Sequence, residues 1–318
     1  MSEELQGVKA DTLTQNVGCF CSHIFTSRPY STFNNTASSQ KIVNLGYFSA
    51  PFKNDIFLPM NNYKQEKIQD GKSYYRFVTV SELARRLIYP TFAVPYDRYV
   101  SLGLCRNDYL LDKTDCRDLR DQLLSCLPYK ADKILLYTPT HRDHFDNGIG
   151  IAKSILGFDM DLQIFDNFLQ REKIFIICKL HPKYHPSALN KNLPASIRVH
   201  TASSDYGLTE LMKVSDALMT DYTSGYFDYL LMDKPVIFNF FDYEEYRNTR
   251  GFTFEPIFNI VAGDVVKDSN SLLEALLNID ESKIKYREKR AFVRDLIFKH
   301  NDTHSCERVY QYFFGKDK

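Results

Sequence analysis

Residues 216–238 read DALMTDYTSGYFDYLLMDKPVIF and hold two short apolar segments separated by a polar turn and a helix. The segment 217–220 is apolar and short, as in a buried strand, and 235–240 has the same character. Between them, an acid, two hydroxyls and a glycine within 221–225 precede an apolar helical segment over 225–232. A strand, a helix and a second strand at this spacing predict a βαβ unit in a parallel sheet.

The same alternation extends on both sides of this unit. It predicts strands at 133–139, 173–182 and 196–200 and helices at 161–172, 207–215 and 269–279. Nearer the amino terminus, it predicts a strand at 41–48, a strand and then a helix within 75–90, and a helix at 116–127. Ser81 is the expected N-cap of the helix within 75–90, and this helix is expected to end before Pro90.

The stretch PYKAD at 128–132 has the composition of a hinge between two folded units. We therefore expect an α/β protein with an amino-terminal lobe at 1–127 and a carboxyl-terminal lobe at 128–318. Before residue 41 the chain offers little strand or helix pattern, so the first lobe is expected to be shortened.

Composition excludes several classes of protein. The 318 residues carry 40 basic and 40 acidic side chains, so no overall basic field attracts nucleic acid, and no nucleic-acid partner is expected. Seven cysteines without framework spacing are typical of reduced thiols in a cytoplasmic protein. The polar start is unlike a signal peptide, and no apolar run approaches the roughly 20 residues of a membrane span.

Polar residues follow four consecutive predicted strands. Because ligands bind at the carboxyl ends of parallel strands, these residues are the first candidates for a site. In chain order they include Thr140, Arg142, His181, Lys183, Asp221, Thr223 and Ser224.

Donors of this kind suit an anion. A helix that begins at Thr223–Gly225 would point free backbone N–H groups and its positive dipole end at a phosphate, and Gly225 would let the backbone approach closely. The alternative is plain N-capping of that helix by Asp221 or Thr223, and a purely structural role for His181. His141 and His144, beside acidic residues, match no strong ligand pattern, so no metal and no cofactor are expected.

Several segments together resemble the CDP-glycerol glycerophosphotransferase family, the teichoic-acid and capsule polymerases and primases. They are ILLYTPTHRD, CKLHP and the stretch LMKVSDALMTDYTSGYFDYLLMDKPVIFNFFDYEEYRNTRGFTFE, with GLCRNDYLL at 103–111 as a further element. The resemblance is good over residues 75–256 and weaker elsewhere.

The resemblance implies a GT-B-like architecture, in which two Rossmann-like lobes with parallel sheets face a cleft. It implies transfer of glycerol phosphate, or a related polyol phosphate, from CDP-glycerol to an acceptor hydroxyl, with release of CMP. The acceptor would be a polymer or a lipid-linked molecule, and the protein would be cytoplasmic, with contact to the cytoplasmic face of the plasma membrane allowed. The sequence does not define an oligomeric state.

The resemblance also assigns roles to residues. Arg142 and His181 would bind or polarise the pyrophosphate as the catalytic pair, and Asp221 would orient the turn. The expected donor-binding residues are Thr140, Lys183, Asp221, Thr223, Ser224, Gly225 and Arg250, and the acceptor-side candidates are Tyr47, Lys53, Arg106 and Asp108.

The amino-terminal lobe departs from the family at one position. The family carries a His-Gly-Thr-Pro-Leu-Lys element whose histidine is the presumed base on the acceptor hydroxyl. Here Pro51 and Lys53 match, but Phe48 stands in the place of the histidine and Ser49 in that of the glycine. Either Tyr47, His23 or Asp55 substitutes as the base, or transfer is lost or altered. The alternatives are therefore a catalytically weak homologue that binds a CDP-activated donor or assists a partner transferase, and a GT-B sugar transferase.

Overall fold

The computed structural model describes residues 22–27, 40–53, 65, 68, 71–140, 156–180, 193–200 and 206–315. Within them the chain forms two separate parallel sheets. The α/β class with parallel sheets that the alternating pattern predicts is therefore confirmed.

The first sheet has its four described strands in sequence order, β1-β2-β3-β4, and every pairing is parallel. The strands are β1 (His23–Thr26), β2 (Lys41–Asn44), β3 (Arg76–Thr79) and β4 (Tyr99–Ser101). Strand β2 is shorter than the predicted 41–48 because Gly46 has φ 92° and turns the chain out of the sheet.

The second sheet has six strands in the order β10-β9-β8-β5-β6-β7, all parallel. They are β5 (Lys133–Thr138), β6 (Ile174–Lys179), β7 (Ile197–His200), β8 (Ala217–Thr220), β9 (Val236–Asn239) and β10 (Asp264–Val266). The chain winds one way from β5 to β7 and the other way from β8 to β10. This doubly wound order has a topological switch point between β5 and β8.

Eleven α-helices lie in the described part of the chain. They are α1 (Glu82–Phe92), α2 (Cys105–Leu111), α3 (Arg117–Ser125), α4 (Leu162–Arg171), α5 (Leu208–Val214), α6 (Gly225–Leu230), α7 (Tyr243–Thr249), α8 (Ser269–Leu277), α9 (Ile279–Lys285), α10 (Arg287–Ile297) and α11 (Ser305–Phe314). Two 3₁₀ turns, Tyr96–Arg98 and Ile257–Asn259, complete the set.

Helix α1 begins as predicted but ends later. The Ser81 hydroxyl accepts a hydrogen bond from the Ala84 N–H at 3.1 Å, as an N-cap does. The helix nevertheless runs through Pro90 to Phe92, so the prediction that it stops before the proline was wrong. Pro90 has no N–H to donate to the carbonyl of residue 86, but the turn after it still closes, with Ala93 at φ 49° donating its N–H to the Tyr89 carbonyl at 3.2 Å.

The core follows the two-residue periodicity of the strands. One face of the second sheet, including Leu136 and Phe238, is continuous with the core of the first sheet. The opposite face, including Tyr137 and Ile237, forms a separate cluster with side chains of α4 and α8. The two lobes therefore share one hydrophobic core on the side where they meet, and this shared core fixes their contact.

The last helix returns to the first lobe. The Asp108 carboxylate of α2 accepts hydrogen bonds from the Ser305 and Cys306 N–H groups at 2.9 and 2.8 Å, at the start of α11. Near its end, the Tyr312 hydroxyl accepts from Arg76 Nε at 3.0 Å. Although the sheets separate between β4 and β5, α11 packs on the amino-terminal lobe. The division at residue 128 stays a prediction.

Across the described ranges, no helix combines the length and the apolar character needed to cross a bilayer.

Candidate active site

The carboxyl ends of β5 and β8 meet at the switch point of the second sheet. There the hydroxyls of Thr138 and Thr220 lie 3.0 Å apart, and the Thr220 hydroxyl also donates to the Thr138 carbonyl. The next residues along each strand, Thr140 and Asp221, extend beyond the sheet edge. Crevices at such switch points are where doubly wound sheets bind ligands.

Asp221 joins the two strand ends. Its carboxylate is buried and accepts the Thr140 hydroxyl at 2.6 Å and the Thr140 N–H at 2.9 Å. It also accepts the Tyr222 N–H at 2.6 Å. The alternative in which Asp221 caps the following helix is therefore wrong, because its bonds go to the β5 loop and to its own neighbour.

The turn at Thr223–Gly225 leads into α6. Ser224 occupies the N-cap position, but its side chain makes no capping bond, and the Thr223 hydroxyl meets the Gly225 N–H only at a long 3.4 Å. Among the described residues, no acceptor faces the backbone N–H of Thr223 or Ser224. Both residues are half-buried, so these donors lie at an accessible edge.

Helix packing gives a reason for the absence of a side chain at Gly225. A Cβ built there would lie 3.2 Å from Met212 Cε and 3.9 Å from Leu208 Cδ2. The missing side chain thus makes room for α5 to pack against α6. A contact with a ligand at Gly225 stays a prediction.

Three predicted residues, Arg142, His181 and Lys183, lie outside the described residues. The described residue that precedes His181 is Leu180, directly after β6. Lys179, the last residue of β6, donates to the Tyr206 carbonyl at 2.7 Å, and burial lowers the pKa of its ammonium. Lys179 thus stands at a strand end like the predicted site residues, although no motif in the sequence assigns it a role.

The loop at residues 45–53, which we call the lobe-bridging loop, follows β2. Its Gly46 is required, because a Cβ there would lie 2.2 Å from Leu104 Cδ2 and 2.9 Å from the Val78 carbonyl. The Phe48 ring packs on Phe92 with centroids 6.1 Å apart, and Tyr47, 39% exposed, lies beside both rings. An apolar ring cannot accept a proton, and the replacement of the family histidine by Phe48 stays a prediction.

The far end of the lobe-bridging loop attaches to the second lobe. Lys53 forms an antiparallel bridge with Phe252, and Thr253 donates its N–H to the Phe52 carbonyl at 3.0 Å and its hydroxyl to the Lys53 carbonyl at 2.9 Å. This bridge brings the acceptor-side candidate Lys53 close to the donor-side candidate Arg250. Arg250 is exposed and has no ion pair within the described part of the chain.

The other acceptor-side candidates have structural contacts. Arg106 donates from Nε and Nη2 to the Asp228 carboxylate at 3.2 and 3.1 Å, and from Nη1 to the Gly46 carbonyl at 3.2 Å. The Asp108 carboxylate is occupied by the start of α11. Contact of either residue with an acceptor stays a prediction.

His23 lies at the amino ends of the strands of the first sheet, whereas the lobe-bridging loop lies at their carboxyl ends. It begins β1, whereas the loop follows the carboxyl end of the parallel strand β2. Its ring packs among Phe25, Phe313 and Phe314, and burial and Lys41 lower its pKa. This position argues against His23 as the replacement base, and the other candidate, Asp55, lies outside the described residues.

Asp228 and Ser49 are residues that the sequence reasoning missed. The Ser49 hydroxyl donates to the Asp228 carboxylate, across the boundary between the lobes. A signal was present, since Phe227-Asp228 lies within the longest stretch that carries the family resemblance, but the partner of Asp228 lies 179 positions away.

No group of three or more His, Cys, Asp or Glu side chains suited to a metal ion occurs in the described ranges. The stretch containing His141 and His144 is outside them. Apart from the Asp221 carboxylate, whose bonds go to Thr140 and Tyr222, the described part of the site offers hydroxyls, backbone N–H groups and basic side chains, which are groups that bind anions.

Comparison with known proteins places these features in a family. The model of the CDP-glycerol:poly(glycerophosphate) glycerophosphotransferases matches residues 25–315. The chain is 28% identical over 246 residues to the teichoic acid ribitol-phosphate polymerase TarK of Staphylococcus aureus, covering 77% of this chain and 46% of that protein. It is 31% identical over 267 residues to a teichoic acid ribitol-phosphate primase of Bacillus spizizenii, covering 82% and 64%. The chain thus spans less than two thirds of either relative.

A solved structure shares the fold. A variant of the wall teichoic acid polymerase TagF, soaked with CDPG, superposes with a TM-score of 0.72 at 20% identity, over 92% of this chain and 72% of that one. The GT-B-like arrangement of two lobes predicted from the sequence is confirmed by this likeness.

Proposed function

Because the chain belongs to the CDP-glycerol:poly(glycerophosphate) glycerophosphotransferase family, we propose that it transfers a polyol phosphate from a CDP-activated polyol to an acceptor hydroxyl in wall-polymer synthesis. The observation that carries the proposal is the family match, which extends over both lobes, from residue 25 to residue 315. The relatives named above act on ribitol phosphate, and others are glycerol-phosphate primases. Glycerol and ribitol donors are therefore both candidates.

The switch point supports a seat for the donor pyrophosphate. The Asp221 carboxylate holds the Thr140 loop against β8, and this leaves the Thr223 and Ser224 N–H groups at the sheet edge. Backbone donors fixed in this way can stabilise negative charge as it develops on the leaving CMP phosphate, without reorganisation at the moment of reaction. Arg142 and His181, which follow the neighbouring strands, would complete the seat.

The acceptor would enter between the two lobes. Lys53 pairs with Phe252, which follows Arg250 by two residues, and two cationic side chains in this region suit a phosphate-rich polymer. A lipid-linked acceptor would bring the protein to a membrane surface, and we include such peripheral contact in the proposal.

A turnover panel tests the reaction. Purified protein is given CDP-glycerol, CDP-ribitol or UDP-sugars with a polyol-phosphate acceptor, and release of the nucleotide is measured. We expect CMP from at least one CDP-polyol and no release from UDP-sugars. Turnover of a UDP-sugar alone would instead establish the sugar-transferase alternative.

Variants test the donor seat. Loss of one charge-assisted contact costs about 1.5–3 kcal/mol, or roughly 10–150-fold in affinity. Calorimetry should show that loss of affinity for CDP-glycerol in the Arg142→Ala variant. The Ser224→Pro variant, which lacks one backbone N–H, should also bind CDP-glycerol more weakly. Unchanged donor affinity in both variants would place the donor elsewhere.

Phe48 favours a second candidate function. Because Phe48 is expected at the position of the family base and its ring cannot accept a proton, the chain would bind a CDP-activated donor but transfer the polyol phosphate only slowly, or assist a partner transferase. Donor binding by calorimetry with no CMP release under any acceptor would support this second function over the first.

A further inference from the structure

We propose that Asp228 is a positioning residue that holds the lobe-bridging loop in register with the turn at Thr223–Gly225. The proposal rests on the proposed function, because that loop carries the acceptor-side candidates Tyr47 and Lys53, and the turn carries the donor seat. Asp228 would align the two halves of the site without touching either substrate.

The Asp228 carboxylate is shared between the lobes. One oxygen accepts the Ser49 hydroxyl, and the other accepts Arg106 Nε and Nη2 at 3.2 and 3.1 Å. Arg106 also donates to the Gly46 carbonyl at 3.2 Å, and Asn107 Nδ2 donates to Ser49 Oγ at 3.4 Å. The network therefore holds the lobe-bridging loop at two points, through the Ser49 side chain and through the Gly46 backbone.

Burial separates positioning from catalysis. Ser49 is fully buried and Asp228 is 8% exposed, so the two side chains present little surface to a substrate. Both carboxylate oxygens are already engaged, one by the Ser49 hydroxyl and the other by the Arg106 guanidinium. A buried charge pair with additional hydrogen bonds is a geometric constraint, and removal of one partner leaves the other uncompensated.

Helix α6 transmits this constraint to the donor turn. Asp228 lies four residues after Ser224, which is about one helical turn. The helix is itself immobilised, since the Tyr226 hydroxyl donates to the Ile260 carbonyl at 2.6 Å and the Tyr229 hydroxyl lies 3.0 Å from that of Ser215. A loop fixed to Asp228 is thus fixed relative to the Thr223 and Ser224 N–H groups.

The loop has a second, independent anchor. Phe52 is 1% exposed and packs among second-lobe rings, with centroid distances of 5.8 Å to Phe227 and 6.0 Å to Tyr226. Burial of one phenylalanine side chain, together with the bridge at Lys53, keeps the loop on the second lobe when the polar network is weakened. Loss of the Ser49 hydroxyl should therefore shift the loop without detaching it.

The chain offers a matched control. The Ser196 hydroxyl donates to the buried carboxylate of Asp166 in the same way, but within the second lobe, between α4 and the residue before β7. Ser196→Ala and Ser49→Ala thus each remove a hydrogen bond from a serine hydroxyl to a buried carboxylate, but only the Ser49 bond joins the lobe-bridging loop to α6. A purely structural role predicts equal effects of the two variants.

Three measurements compare natural chain, Ser49→Ala and Ser196→Ala: hydrogen exchange of the peptide spanning 45–53, CDP-glycerol affinity, and CMP release against acceptor concentration. For Ser49→Ala we expect about tenfold faster exchange in that peptide and a roughly 10–100-fold fall in acceptor kcat/KM, with donor affinity within about twofold. Ser196→Ala should change none of the three. Asp228→Asn should make the further change at Ser49 much less costly, because the two residues act through one bond.

Two results would overturn the proposal. One is exchange at 45–53 that is unchanged in Ser49→Ala, and the other is a fall in acceptor kcat/KM that Ser196→Ala reproduces. If the natural chain transfers nothing, the proposed function fails, and the exchange comparison alone decides whether Asp228 holds the loop. Faster exchange confined to 45–53 supports the positioning role in that case, and unchanged exchange refutes it.

Discussion

Replacement of Asp221 by asparagine should destabilise the protein and weaken the donor seat together. The Asp221 carboxylate is buried and accepts the Thr140 N–H, the Thr140 hydroxyl and the Tyr222 N–H within 2.6–2.9 Å. Asparagine keeps the shape but has only one oxygen that accepts. All three donors reach Oδ1, and the Thr140 N–H also reaches Oδ2 at 2.9 Å. With its oxygen at Oδ1, asparagine would keep a neutral acceptor for them, lose the negative charge, and turn its NH₂ group toward the Thr140 N–H.

The magnitude follows from these contacts. Hydrogen bonds to a charged acceptor contribute about 1.5–3 kcal/mol each, and a buried donor left unsatisfied costs about 1–3 kcal/mol. We expect Asp221→Asn to lower the free energy of unfolding by roughly 2–4 kcal/mol. Thr140→Val removes the hydroxyl donor but keeps the backbone N–H, and should cost about 1–2 kcal/mol.

Urea unfolding of the natural chain, both single variants and the double variant measures these values. Because Thr140 and Asp221 are in contact, the two losses should sum to more than the loss in the double variant. Asp161→Asn is the control, since Asp161 also accepts backbone N–H groups, at 2.9 and 3.1 Å, but at an exposed N-cap where asparagine serves equally well. Calorimetry on Asp221→Asn should also show weaker CDP-glycerol binding, because the turn after β8 loses its fixed position.

The reasoning fails if Asp221→Asn unfolds within about 0.5 kcal/mol of the natural chain, which is the range expected for a surface substitution. It also fails if the Thr140→Val loss is fully additive with that of Asp221→Asn. Either result would mean that Asp221 does not join the ends of β5 and β8 in solution.

Three further predictions concern the first lobe and its boundary. Phe48→His should raise CMP release by about 10²–10⁴-fold with little change in donor affinity, since a positioned base acts on the acceptor side. Brisk turnover by the natural chain, with no gain from the histidine, would place the base elsewhere, and Tyr47 would be the next residue to replace. Asp108→Ala should lower the free energy of unfolding by about 1 kcal/mol by uncapping α11, measured by urea, with acceptor KM unchanged; a KM that rises instead would establish an acceptor contact. The hydrogen bond from Lys213 lowers the pKa of Asp112. This pair between the lobes therefore stabilises the folded chain at pH values above the ordinary carboxyl pKa, and the stabilisation is lost as the pH falls through the lowered pKa of Asp112. The urea midpoint should therefore fall less steeply below about pH 4 in Asp112→Asn than in the natural chain, and parallel curves would contradict this.

Local pattern was sufficient for the elements of the second lobe. The alternation of apolar strands and amphipathic helices after residue 133 predicted β5 to β9 within a few residues. A parallel strand that is buried on both faces has apolar side chains at consecutive positions, and such a run is visible in the sequence. The polar residues after those strands then indicated the site edge. Resemblance to a family supplied the reaction, which periodicity alone does not contain.

Local pattern did not give the partners of the polar residues. Asp221 was expected to orient the donor turn, with capping of the helix as the alternative, and only the structure shows its bonds to Thr140, 81 positions earlier. Arg106 and Asp108 were expected on the acceptor side, and only the structure shows that they also hold Asp228 and the start of α11. A carboxylate bonds whichever donor the fold brings within about 3 Å, and that choice depends on strand order, not on neighbours in sequence.

The sequence by itself determined where strands, helices and strand ends lie, since backbone preference and burial act over a few residues. Only the tertiary structure decided that the loop after β2 lies on the second lobe, where Lys53 pairs with Phe252 and Ser49 meets Asp228. Those contacts join residues 179 or more positions apart. They form only once two sheets share a core, because the packing of rings such as Phe52 sets which backbone groups come within hydrogen-bonding distance.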